Sequence, residues 1–349
     1  MSETTNTQIY QQRRFVFMTL DPVHIGAGGY RLGRVDNTII REPGTNLPKI
    51  PGTSLMGAAR SYAAMRYGKP EAAGQQKKLN DEQKKAKGCP ILYTFGTATD
   101  SAEKGAASKA GSVSVGDAHL LFFPVYSMAG PLWVSTKEKI IEAWDKESIS
   151  ELPAEPNDKG QSVTSLEWAQ DKLNMGWLLL PTKPGLIVNA PTKIKETQEW
   201  QTISNRIVLV TPKVLSQIVN SNLEVRTSVS IDPETGAATD GALFTYEAIP
   251  RAAWLWCDVV EDNYRELNSK DRNDYFPETS KQFVPAKEKD GKGQENAGED
   301  LGETWKRPMD VLSAGCRLIE HLGVGGMGTR GFGRMRLLGD SVTTNGGAQ

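Results

Sequence analysis

An α+β fold with an interrupted β-α-β-β-α-β order is what the sequence predicts. Three observations predict it: an alternating segment near the N-terminus, two segments of helical apolar spacing, and further apolar runs that bracket each helix with strands. The first strand is expected over 14–20, RFVFMTL, where bulky and polar residues alternate before DPVHIGAGG breaks the run with Pro and Gly. PGTSLMGAARSYAAMRYG then places Leu55, Ala59, Tyr62 and Met65 on one helical face, with Thr53 or Ser54 as N-cap and Gly68 as stop. VSVGDAHLLFFPV at 113–125 supplies a second strand, apolar enough to be buried, and AAWLWCDVV at 252–260 a third. MDVLSAGCRLIEHLG repeats apolar residues at Met309, Leu312, Cys316 and Ile319, the spacing of a helix packed on a sheet, and GFGRMRLL closes the series as a strand. The order is that of a ferredoxin-like or RRM-like fold with large insertions.

The insertions are readable by composition. Residues 69–88 and 261–304 are rich in charge and poor in large apolar side chains, as solvated excursions are. In EVRTSVSIDPETGAATDGALFTYEAIP, residues 224–250, PETG between β-branched stretches predicts a β-hairpin. Material between 126 and 251 is otherwise expected to be irregular, and no tandem repeat is present.

With 349 residues, 38% of them apolar, the chain fills a core for one large domain with insertions or two modest ones. No window approaches the roughly 20 apolar residues that span a bilayer, and MSETTNTQIYQQRR lacks a signal-peptide core, so the expected compartment is the cytoplasm. Cys89, Cys257 and Cys316 are far apart and form no CxxC pair, which suggests neither a disulfide framework nor a thiolate zinc site. Lys and Arg total 41 against 42 Asp and Glu, so net charge is silent on a nucleic-acid partner. The distribution is uneven: Arg31, Arg34, Arg41, Lys49, Arg60 and Arg66 crowd the first part, Arg330, Arg334 and Arg336 the end, and the acids 259–304.

Three segments carry candidate chemistry. GVGGMGTRGFGRMRL, residues 323–337, follows a helix, lacks GK[ST], and is therefore neither a Walker loop nor a dinucleotide fingerprint. Its functional reading is phosphate contact by backbone near Gly325, Gly326, Met327 and Thr329 and by Arg330; its plain reading is a tight turn with bulge glycines. PGTSLMGAAR opens a helix whose free N–H groups and dipole suit a phosphate, with Ser54 at its start and Arg60 about two turns in, and ordinary capping explains it equally well. In PVHIGAGGYRLGRVDNTIIRE, Asp36 is the only acid between Asp21 and Glu42 and lies among Arg31, Arg34 and Arg41. An ion pair is the plain reading; the sharper one is a carboxylate that positions a hydrated divalent metal, or assists proton transfer, in RNA strand cleavage. His24 is either an acid–base group or a structural histidine.

Taken together, HIGAG, LGRVDNTIIRE, PKIPGTSLMGAAR, FGT at 95–97, GSVSVGDAHLLFFPVYS, the ETG…DGALF…E.IP hairpin and GVGGMGTRGFGR resemble the RAMP superfamily, specifically the backbone subunits of type III-B CRISPR Cmr complexes. The likeness runs in order along about the whole chain. It implies an RRM-like palm over about 12–66, 111–135, 250–260 and 307–340 of a single domain, a flexible insertion at 69–110, and an insertion at 136–249. A thumb hairpin within that insertion carries Arg226, Leu243 and Phe244, and a charged loop follows at 261–304.

The resemblance further implies Asp36 as the acid required for metal-dependent cutting of target RNA, with Mg2+ or Mn2+. His24, Lys49, Ser54, Arg60, Gly325, Gly326, Met327, Thr329 and Arg330 are the implied RNA contacts. The implied partners are a guide crRNA, a single-stranded target RNA, copies of the same chain along one guide, and other type III subunits. The substrate's own 2′-hydroxyl is the implied nucleophile. Met56 stands where relatives commonly carry Lys, a departure for which Lys49 or Arg60 is the expected substitute. A non-catalytic guide-binding subunit, a metal-independent guide-processing ribonuclease using His24, and the sibling type III-A backbone subunit remain as alternatives.

Overall fold

A computed structural model describes residues 10–28, 35–74, 89–97, 110–150, 152–157, 159–167, 171–262 and 305–342. Most of the two charged excursions, and Arg31 and Arg34, lie outside the described residues.

The first half contains β1 (Tyr10–Thr19), β2 (Lys49–Ile50), α1 (Gly52–Arg66), α2 (Pro90–Phe95), β3 (Val113–Val115), β4 (Ala118–Val125), β5 (Leu132–Ser135) and α3 (Lys137–Ala143). Next come β6 (Ser162–Thr164), β7 (Lys172–Met175), β8 (Leu178–Pro184), α4 (Thr192–Lys195), α5 (Gln198–Ile203), β9 (Ile207–Leu209) and α6 (Pro212–Ser221). The chain ends with β10 (Glu224–Ile231), β11 (Ala238–Ala248), β12 (Trp254–Asp262), α7 (Pro308–Leu322) and β13 (Met335–Val342).

This is a mixed α+β fold built on one large sheet. Its strand order is β13-β1-β12-β4-β5-β9-β6-β8-β7, with β2 paired to β4 and β3 to β12. The pairs β13–β1, β1–β12 and β12–β4 are antiparallel, whereas β5–β9 and β6–β8 are parallel. The 126–251 segment is thus not irregular: it adds five strands to the sheet. Those strands are three to seven residues long, too short for a period to show in sequence.

Side-chain alternation divides the buried residues between two cores. Phe15, Phe17, Leu255, Cys257 and Val259 join one with α1 and α7, while Val16, Trp254 and Trp256 join Phe122, Trp144 and Trp200 in a second. Both faces of the central strands are covered, which explains why 15–17 are all buried despite the alternation.

The helices pack backbone to backbone. A Cβ at Gly315 of α7 would lie 2.1 Å from the Ala59 carbonyl oxygen of α1, and the Tyr62 hydroxyl donates to the carbonyls of Gly323 (2.6 Å) and Leu322 (3.1 Å). The buried face of α1 is Leu55, Ala59 and Ala63, so the expected Met65 is 49% exposed instead. Two methyl-sized residues, not a long side chain, permit the close approach. Pro51, without a side-chain cap bond, replaces Thr53 or Ser54 as N-cap, and Gly68 ends the turn with φ +71° as expected. In α7, Met309, Leu312, Cys316 and Ile319 are all buried.

Strands β10 and β11 form a separate two-stranded ribbon. Its turn closes through Asp232 N–H to the Ala237 carbonyl at 2.9 Å, over the PETG segment, with Gly236 at φ +66°.

Candidate nucleic-acid interface

Strand register brings three distant loops to one end of the sheet. Met18 pairs with both Trp254 and Arg336, and Thr19 with Met335. The chain leaving β1 therefore meets the chain entering β12 and β13. There the Gly326 N–H donates to the His24 carbonyl (3.0 Å), the Gly333 N–H to that of Pro22 (2.8 Å), and the Leu20 N–H to that of Arg334 (2.8 Å). Gly325 adopts φ +86°, and a Cβ there would lie 2.4 Å from Ile25 Cδ1 and 2.5 Å from the His24 oxygen. Only glycine satisfies both conditions. The segments 24–28 and 323–333 are thus in direct contact, presenting exposed backbone at Gly26, Ala27, Gly28, Gly325, Gly326 and Gly328.

Both segments border the ribbon. Val23 and Ile249 exchange backbone hydrogen bonds (2.9 Å each way), and Asn37 N–H donates to Thr245 O (3.0 Å) while Glu247 N–H donates to Asn37 O (3.0 Å). This pins Asp36 beside β11. Its Oδ2 accepts the backbone N–H and the hydroxyl of Thr245, both at 2.8 Å, and the Thr245 hydroxyl accepts the Asp36 N–H at 2.9 Å. The Thr245 N–H, then its hydroxyl, hold the Asp36 acid below its ordinary pKa although the side chain is exposed. Oδ1 has no hydrogen-bond partner among the described residues.

His24 is buried. Its Nδ1 bonds the Glu247 carbonyl at 2.6 Å, which requires the proton on Nδ1, and its ring meets Tyr246 edge-on at 5.7 Å. Thr245 and Tyr246 are consecutive on β11 and project to opposite faces. Ser228 pairs with Phe244, and Arg226 with Tyr246, on the Tyr246 face. There Arg330 Nη1 reaches the Ser228 hydroxyl at 3.4 Å, and the Arg226 guanidinium sits 4.8 Å from the Phe332 ring centre while pairing with Glu224 at 2.6 Å. Met327 takes the left-handed conformation (φ +67°), and Thr329 is exposed in the turn that carries Arg330. Leu243 and Phe244 are 62% and 44% exposed on the ribbon.

The other basic and helix-start residues meet partners within the chain. The N-terminus of α1 already holds an anion of the protein itself: Asp117 Oδ1 accepts the Gly52 N–H (2.9 Å) while Oδ2 pairs with Lys49 (2.5 Å). Ser54 follows with its N–H given to the Pro51 carbonyl (2.9 Å). Arg60 turns inward, donating to the Ala72 carbonyl at 2.9 Å, with burial depressing its pKa. Arg41 does not face Asp36; it pairs with Glu247 at 2.6 Å. Met56 packs against the core. Among the described residues no group of three His, Cys, Asp or Glu is placed to hold a metal ion.

Thr245, Glu247 and Asp117 hold Asp36, Arg41 and Lys49, and no sequence motif assigned them that role, although Asp117 and Glu247 lie within motifs that carry the resemblance. Each acts on a residue tens to hundreds of positions away, which leaves no local pattern.

The chain is 28% identical over 244 residues to the CRISPR system Cmr endoribonuclease Cmr4 of Pyrococcus furiosus, covering 66% of this chain and 75% of that protein. Similar solved structures include a chain of the type III-B Cmr-beta complex in its apo state (TM-score 0.56, 13% identity, 96% of this chain and 98% of that one). A chain of the Cmr-beta complex bound to cognate target RNA gives TM-score 0.52 at 15% identity, over 75% and 88% of the two chains. Oligomeric Cmr4 from Pyrococcus furiosus gives 0.52 at 19% identity, over 96% and 99%. No helix among the described residues is long and apolar enough to cross a membrane. The RAMP superfamily model matches residues 16–336, across both glycine segments, Asp36 and the ribbon, and the chain belongs to that superfamily.

Proposed function

We propose that this chain is a backbone subunit of a type III-B CRISPR complex, acting in the cytoplasm. In this reading it lies along a guide crRNA in several copies beside other subunits and cleaves the paired single-stranded target RNA. The observation that carries the reading is Asp36, an exposed, ionised carboxylate fixed by Thr245 on β11, one residue from the Tyr246 that His24 of the first glycine segment meets. The relationship to the endoribonuclease Cmr4, and the fold shared with a complex that binds target RNA, support it.

The antiparallel order β13-β1-β12-β4, with α1 and α7 on one face, supports an RRM-like palm within a single RAMP domain. The ribbon is the thumb, with Leu243 and Phe244 as wedges against bases. Gly325, Gly326, Met327, Thr329 and Arg330 grip the guide backbone, with His24 as the buried post that shapes the loop.

Cleavage in this reading forms a bond from the target 2′-oxygen to the adjacent phosphorus and breaks that to the 5′-oxygen. The 2′-hydroxyl loses a proton and the leaving oxygen gains one. Asp36, with its acidity increased, is a weak base and acts by charge and position. The residues fit a divalent cation only as a shared site: Asp36 Oδ1 is one hard oxygen ligand, and water and RNA phosphate would complete an Mg2+ or Mn2+ shell. When bound, such a cation would stabilise charge on the phosphoryl oxygens.

The test is Asp36→Ala in a reconstituted complex. Guide and target binding should persist while target cleavage falls by about 100-fold or more; undiminished cleavage would leave a non-catalytic guide-binding subunit. A His24-based ribonuclease is disfavoured because the ring is buried and its Nδ1 proton is committed to Glu247. Cleavage that survives EDTA would revive it.

A further inference from the structure

Arg251 lies in the turn between β11 and β12, at the sheet end where the glycine loop emerges. Nothing in the motifs singled it out. Its neighbour Ala252 adopts φ +66°, a conformation rare for a residue with a Cβ. That strained turn is held on three sides. The Ala252 N–H donates to the Thr19 carbonyl (2.8 Å), the Trp133 indole N–H to the Ala252 carbonyl (2.8 Å), and the Thr19 hydroxyl to the Pro250 carbonyl (2.7 Å). A rigid support presents Arg251 to solvent.

Its surroundings are cationic. Arg334 clamps Asp21 with two hydrogen bonds (2.5 and 3.2 Å), and the charges of Arg251 and Arg226 also act on that carboxylate. Arg226 is matched by Glu224 and Arg334 by Asp21. Arg251 and Arg330, both exposed, form no ion pair with a carboxylate among the described residues. The patch therefore carries an excess of positive charge beside exposed glycine backbone, an arrangement that suits a chain of phosphates.

We infer that Arg251 is a further contact to an RNA phosphodiester backbone, extending the track from the glycine loop and Arg330 around the root of the ribbon. The inference rests on the RNA-binding reading above. Arg334 and Arg226, pinned by Asp21 and by the Phe332 ring, form the walls of this track.

The experiment measures binding of a labelled polyuridine RNA to the full chain over a salt series. Arg251→Gln should lower the slope of log K against log salt by about 0.7, the value for one lost phosphate contact on a single strand. Lys137→Gln removes one exposed positive charge from α3, where Lys137 pairs with Glu155, and should leave the slope unchanged. Arg251→Gln indistinguishable from Lys137→Gln, with wild type still binding, overturns the inference and spares the RNA-binding reading. No binding by wild type overturns both. Arg251 has no hydrogen bond among the described residues, so an unchanged melting temperature should accompany the loss.

Discussion

Thr245 holds Asp36 by two donors that converge on one carboxylate oxygen, leaving the other toward solvent. The backbone N–H fixes where the carboxylate lies, and the hydroxyl fixes how it is turned. Without the ribbon in place, Asp36 would be one acid in a loop.

Thr245→Val removes the hydroxyl and keeps the N–H. The Asp36 titration should then move up toward its ordinary value of 3.8, as read by carboxyl NMR. Asp36 stays ionised at neutral pH, so any fall in target cleavage, expected at roughly 3- to 10-fold, reports orientation and not charge. An unmoved titration would show that the hydroxyl does not hold the acid.

Gly325→Ala sets a methyl group against Ile25 and the His24 carbonyl in a backbone conformation that disfavours it. RNA affinity should fall by about tenfold, with a lower melting temperature. Gly328→Ala is the matched control, because its nearest neighbour is the Leu322 oxygen at 4.0 Å and it lies outside the left-handed region. Equal effects of the two substitutions would refute a specific glycine requirement at 325.

Gly315→Ala pits helix propensity, which favours alanine by about 1 kcal/mol, against a 2.1 Å approach to the Ala59 oxygen. Overpacking should win, with a net loss of about 1–3 kcal/mol in urea unfolding. A stabilised variant would mean that α1 and α7 separate easily.

Glu42 governs part of the acid response. Burial alone would raise its pKa, but hydrogen bonds from His119 (2.7 Å) and Thr45 (2.5 Å) outweigh this and pull it down to about 2 from 4.5. A depressed acid stabilises the fold above its unfolded pKa and loses that contribution as pH falls through the folded value. The stability gap between wild type and Glu42→Gln should therefore be full above about pH 4.5 and close toward pH 2. Urea titrations at stepped pH measure it, and a constant gap would contradict the assignment.

Local sequence determined the elements whose signals are periodic and long: β1, α7 with its four buried apolar positions, β12, the PETG hairpin, and the glycine loop before β13. Chain-long motif order was also enough to point to the superfamily. The short strands β5–β9 carried too few residues to display a period, and the second tryptophan-rich core that they complete was invisible for that reason.

Tertiary structure alone decided which partner each charged group meets. Lys49 meets Asp117, Arg60 the Ala72 carbonyl, and Arg41, which flanks Asp36 in sequence, pairs with Glu247 instead. Asp36, by contrast, gains its place from Thr245, 209 positions away, and Arg251 from Thr19 and Trp133. Side-chain type sets what chemistry a residue can do, whereas antiparallel register and burial set which partner reaches it first, and that pairing is written in no local stretch of the chain.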